Sequence, residues 1–68
     1  MRITSDLQGT VVSVDVGVGD TLRSGQVLAV IESMKMHHDV LAPGPVHIET
    51  VFVAAGDAVA AGADLFEA

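Results

Sequence analysis

Cysteine, tryptophan and tyrosine are missing altogether from this chain of 68 residues, and the only aromatics are Phe52 and Phe66. Without cysteine there is no disulfide framework and no thiolate zinc site. Half of the residues are apolar, but they are mostly valine and alanine, a β-branched, aromatic-poor mixture that favours short packed strands over large helices. Basic residues are almost as scarce. Arg2, Arg23 and Lys35 stand against nine acidic residues, for a formal net charge of −6. Three such residues cannot form a basic patch, which argues against a nucleic-acid partner and against binding an anionic membrane surface. No apolar run approaches the length of a membrane span, and Met1-Arg2-Ile3-Thr4-Ser5-Asp6 has no apolar signal core. The expectation is one soluble cytoplasmic domain, residues 1–68, with a thin core, since so short a chain buries only about 60% of its unfolded surface.

What is present centres on Glu32-Ser33-Met34-Lys35-Met36-His37. Lys35 is the sole lysine, with a methionine on either side. Val27-Leu28-Ala29-Val30-Ile31 leads in and Asp39-Val40-Leu41-Ala42-Pro43 leads out. This layout predicts two strands, 27–33 and 36–41, meeting at a tight turn with Lys35 at the tip. Most surface lysines only keep a protein soluble, so the tripeptide alone decides nothing. The position of the lysine in the whole chain decides more.

Residues 3–5 read as a short first strand. Gly9 opens a second over residues 11–16, in which Val12, Val14 and Val16 alternate at period 2. Gly17-Val18-Gly19-Asp20 is a turn, because glycine reaches positive φ cheaply and Asp bonds neighbouring amides. Thr21-Leu22 is a brief strand and Ser24-Gly25-Gln26 a second turn. After Ala42-Pro43-Gly44-Pro45 the order repeats: a strand over 48–53, a turn at Gly56-Asp57, a short apolar point at Val59, a turn at Ala61-Gly62 and a last strand from Leu65-Phe66.

The two halves match at a shift of 37 positions. Val14 falls on Val51, Val16 on Val53, Gly19 on Gly56, Asp20 on Asp57, Gly25 on Gly62 and Leu28 on Leu65. Val11 with Ile48 and Leu22 with Val59 are conservative pairs. A doubled β unit of this size cannot bury its apolar face alone, so each half covers the other. The predicted fold is all-β, a flattened barrel-sandwich hybrid of two quasi-symmetric four-stranded halves. Twofold symmetry puts the hairpin 27–41 at one end and the chain termini at the other. Gly9, Gly19, Asp20, Gly25, Gly56, Asp57 and Gly62 are read as its structural turns.

These residues resemble the biotinyl/lipoyl carrier domains, and within them the biotin carboxyl carriers. The resemblance spans about Ser5 to Phe66. Its elements are Gly9-Thr10-Val11, Gly19-Asp20, Gly25-Gln26-x-Leu28, Glu32-Ser33-Met34-Lys35-Met36, Ala42-Pro43, Gly56-Asp57 and Gly62-x-x-Leu65. Val46 stands where the family usually repeats the glycine of position 9, and His37-His38 replaces the acidic residue or asparagine common after the motif. Nothing interrupts residues 16–28, so the protruding thumb of some bacterial acetyl-CoA carboxylase carriers is absent. The chain is more similar to the thumbless carriers of acyl-CoA, propionyl-CoA and pyruvate carboxylases.

The resemblance implies that Lys35 is the residue modified with biotin, with Glu32, Ser33, Met34 and Met36 as the flank read by a biotin protein ligase. It implies a non-catalytic, monomeric carrier that moves carboxyl from a biotin carboxylase to a carboxyltransferase. About ten single bonds, advancing about 1.3 Å each, give such an arm a reach on the order of 13 Å. Tethering raises the local concentration of the carried group at both sites. Met also fills irregular gaps, so one methionine has a packing role open to it. His37 and His38, adjacent on a strand, point to opposite faces, which with His47 unplaced disfavours a metal site. Two other readings compete. A lipoyl carrier of a 2-oxo-acid dehydrogenase usually flanks its lysine with Asp and Ala, unlike this chain. An unmodified structural module, as in membrane-fusion adaptor proteins, does not need the lysine.

Overall fold

Short runs of β-branched residues separated by glycine turns fold here into nine strands and no helix. The computed structural model describes residues 1–68. The strands are β1 (Arg2–Thr4), β2 (Gly9–Val14), β3 (Thr21–Leu22), β4 (Val27–Ser33), β5 (Met36–Leu41), β6 (Val46–His47), β7 (Thr50–Val51), β8 (Ala58–Val59) and β9 (Asp64–Glu67). One four-stranded sheet has the order β5-β4-β2-β8, a three-stranded sheet runs β1-β9-β7, and β3 pairs with β6. All pairings are antiparallel.

The 37-residue shift holds in three dimensions. Gly9 pairs with Val59, and the shifted pair, Val46 with Leu22, is also made. Val14 opposite Ala29 becomes Val51 opposite Phe66, and Asp39 opposite Val30 becomes Arg2 opposite Glu67. The sheets β1-β9-β7 and β3-β6 are therefore together the counterpart of β5-β4-β2-β8, with β6 and β7 in the place of β2, so one half is a single four-stranded sheet and the other is five strands in two sheets. The halves are interlocked by their Gly-Asp turns. Val11 donates its N–H to the Asp57 carbonyl at 2.8 Å and accepts from Gly56 N at 2.8 Å. Ile48 does the same with Asp20 at 2.9 Å and Gly19 at 2.8 Å. Each turn is closed by its own aspartate, whose carboxylate accepts from Gly17 N (Asp20, 2.8 Å) or Ala54 N (Asp57, 2.9 Å).

The core between the halves is apolar, with Val11, Leu28, Ile31, Ile48, Leu65 and Phe66 fully buried. Two expectations are corrected. Of the strand expected over 48–53 only β7, Thr50–Val51, forms, and β6 ends before it at His47, because the chain changes partners between them. Ile48 gives its main-chain groups to the Gly19-Asp20 turn, and Glu49 N–H goes to the Glu67 carbonyl at 2.8 Å. In β2 a bulge between Val11 and Ser13 inserts one residue and shifts the alternation. Val11 thereby takes the core place, Val12 is left 41% exposed, and Val14 and Val16 pack only at the rim.

Candidate functional site at the β4–β5 turn

The apolar residues of β4 hold the hairpin in place. Leu28, Ala29 and Ile31 are buried, so β4 is anchored in the core along most of its length. The ladder with β2 reaches Glu32, opposite Thr10, and the ladder with β5 runs on to Ser33 opposite Met36. Between them lies a two-residue loop, Met34 (φ 54°) and Lys35 (φ 62°). Positive φ at both central residues matches the right-handed strand twist, and the sequences preferred there are Asn-Gly or Asp-Gly. Here two bulky L-residues hold that conformation instead, a strain of the kind that collects at functional sites.

The turn throws both side chains into solvent. Met34 is 92% and Met36 62% exposed, and Lys35 is exposed with no hydrogen bond or ion pair. Neither methionine plugs the core. Glu32 is exposed and faces His37 across the hairpin at 3.7 Å. Ser33 is half-buried, and its Oγ donates to the Gln8 carbonyl at 2.8 Å. His38, opposite Ile31, lines a groove between β1 and β5, while His47 is hydrogen-bonded to Thr21 Oγ1 at 3.1 Å. The three histidines thus lie in three different settings.

Among the turn residues, Gly19, Gly25, Gly56 and Gly62 all have positive φ, between 85° and 95°. Gly9 is not a turn residue. It opens β2, and a Cβ placed on it would stand 2.2 Å from the Glu32 carbonyl oxygen. Its smallness lets the hairpin pass close to the entrance of β2. Val46, its counterpart in the repeat, is a buried valine that pairs with Leu22.

The termini sit at the symmetry counterpart of the hairpin, since Ile31 opposite His38 shifts onto Ala68 beside Met1. Ala68 N–H donates to the Met1 carbonyl at 2.8 Å, and the Met1 ammonium reaches the Ala68 carbonyl and, at 3.0 Å, Glu67. Arg2 bridges Glu67 (2.8 Å) and Asp64 (2.7 Å) and lies 4.8 Å over the Phe52 ring. Hydrogen bonds from the Met1 ammonium and then from Arg2 hold the Glu67 carboxyl below its ordinary value. Pattern reading missed this clasp and the Ser33–Gln8 bond, because their partners lie far apart in sequence.

No helix is long and apolar enough to cross a membrane. The sequence profile of a family described as "Biotin-requiring enzyme" matches residues 1–67. The biotin-dependent acyl-coenzyme A carboxylase alpha3 subunit of Mycobacterium leprae is 40% identical over 65 residues, 96% of this chain but 11% of that protein. The biotinylated protein TB7.3 homolog of M. leprae is 37% identical over 60 residues, 88% of this chain and 84% of that one. A solved single-chain, multi-domain long-chain acyl-CoA carboxylase superposes with a TM-score of 0.93 at 35% identity, over 97% of this chain and 7% of that chain. Profile, relatives and fold agree, and the chain belongs to the biotinyl/lipoyl carrier family, in its biotin carboxyl carrier type.

Proposed function

We propose that the domain is the biotin carboxyl carrier of a biotin-dependent carboxylase and that Lys35 is its modified residue. One observation carries this reading: the sole lysine sits at the apex of a strained two-residue turn, exposed, unpaired and flanked by two exposed methionines. The geometry suits the group. An amine attached as an amide must be reachable from outside, and its base must not give way when the ligase closes on it. Lys35 meets both conditions.

Attachment by a biotin protein ligase needs no catalytic group from this chain. The neutral Lys35 Nζ attacks the acyl carbon of an acyl-adenylate, AMP leaves with the bonding electrons, and the amine proton passes to solvent. The positive charge at the tip disappears. Biotin supplies a ureido nitrogen able to hold a carboxyl group, and the scaffold supplies the reach. The body measures 30 × 19 × 17 Å, and an arm on the order of 13 Å extends from its tip. Longer transfers between a biotin carboxylase and a carboxyltransferase need the whole body to move. Exposed Met34 and Met36 provide an adaptable apolar surface for the ligase. The net charge of −6 and the small apolar surface suit weak docking of a monomer on larger partners.

Co-expression with a biotin ligase and, separately, a lipoate ligase tests the reading by intact mass, streptavidin blot and peptide mapping. The expected result is one biotin adduct on Lys35, lost in Lys35→Arg. A lipoyl adduct without a biotin adduct, or carboxylase complementation retained by Lys35→Arg, refutes it.

A further inference from the structure

We propose that Ser33 is a positioning residue for the modification of Lys35: its hydroxyl ties the hairpin to Gln8 and holds the tip in the conformation that the ligase meets. This rests on the function proposed above for Lys35. The ladder between β2 and β4 ends at Thr10 opposite Glu32, so Ser33 to Met36 stand beyond it. Their only tie back to the body on the β2 side is the 2.8 Å bond from Ser33 Oγ to the Gln8 carbonyl.

The acceptor is itself held. Ser5 is buried, its N–H donates to the Ala63 carbonyl at 2.9 Å, and its carbonyl accepts from Gly62 N at 2.7 Å. Its Oγ donates to the Leu7 carbonyl at 2.6 Å, which fixes the loop just before Gln8. Gly9 completes the brace, because the absent Cβ leaves room for the Glu32 carbonyl against the entrance of β2. A continuous path therefore runs from the Gly62 turn through Ser5 and Gln8 to Ser33 and the tip.

Under the 37-residue shift Gln8 and Gly9 become Pro45 and Val46, the latter buried.

The test uses the unmodified domain with Ser33→Ala, Ser33→Val and Ser33→Thr, measured with a biotin ligase and by backbone NMR relaxation. Threonine keeps the hydroxyl and valine keeps only the shape. A hydrogen bond of ordinary worth implies a fall of about two- to tenfold in kcat/KM for alanine and valine. Order parameters at Met34 and Lys35 should fall with it, from about 0.85 toward 0.6, and Ser33→Thr should restore both. A slower reaction with the tip unchanged would mean that the ligase reads the hydroxyl directly, and would overturn the proposal. So would a looser tip with no change in rate, or no change in either. Failure of the wild-type domain to be biotinylated would instead refute the proposed function, and the relaxation data would still report on the brace.

Discussion

Replacing the residue proposed for function should make this protein more stable. Lys35 sits at φ 62° and Met34 at φ 54°, in the left-handed region. An L-residue there is strained by about 1–2 kcal/mol through the contact of Cβ with the following carbonyl. Glycine has no Cβ, and it loses about 0.5–1 kcal/mol of that gain through the greater freedom of the unfolded chain. Lys35 makes no hydrogen bond or ion pair that the substitution would remove. The difference spans about 0–1.5 kcal/mol, so Lys35→Gly should stabilise by about 0.7 kcal/mol, which for a domain of this size raises Tm by about 3–6 °C.

Lys35→Ala is the control, since it keeps the Cβ and the strain. It should lie within about 0.5 kcal/mol of wild type. Calorimetry and urea titration at matched m values measure all three proteins, and a biotinylation assay runs in parallel. Lys35→Gly should gain stability as modification is lost. If Lys35→Gly is no more stable than Lys35→Ala, the turn carries no strain relievable at this residue, and the reasoning fails.

Other substitutions probe the body. Ile48→Ala removes a fully buried side chain at the junction of the halves and should cost about 2–5 kcal/mol. A domain of this size has only about 3–10 kcal/mol in all, so the variant should be partly unfolded at 37 °C by circular dichroism. Gly9→Ala drives a Cβ toward the Glu32 carbonyl and should cost about 1–3 kcal/mol, with amide shifts concentrated in β4 near the tip by NMR. Gly44→Ala, with open space at its Cβ, should change little. The Glu67 carboxyl is held below its ordinary 4.5 first by the Met1 ammonium and then by Arg2. A lowered folded value means that its contribution is present above 4.5 and is lost as pH falls through the folded value. Tm should thus fall less steeply with acid in Glu67→Gln than in wild type below about pH 4.5.

The parts of the fold written in local pattern were legible. The apolar run Val27–Ile31 and the stretch from Met36 to Leu41 on either side of the tight turn bounded β4 and β5, and the glycines at 19, 25, 56 and 62 marked the turns of positive φ. The repeat gave the symmetry, because a 37-residue shift preserves both the apolar phase and the turn chemistry. Period 2 could not reveal the bulge that turns Val12 outward, since a bulge depends on the partner strand. Nor could it reveal that Ile48 and Glu49 bond to different neighbours. The clasp of Arg2 on Glu67 and the bond of Ser33 to Gln8 join residues 65 and 25 apart. No local signal encodes either one.

The places where the repeat fails tell more than those where it holds. Position 9 is glycine where position 46 is valine, and position 8 is glutamine where position 45 is proline. This chain distinguishes both pairs, and the differences meet under one hairpin. There a glycine makes room, a main-chain carbonyl accepts a serine hydroxyl, and two L-residues hold a turn that Asn-Gly would make with less strain. The same β unit occurs twice in the body, and these residues are among those that set its two ends apart. They fit the role proposed for Lys35.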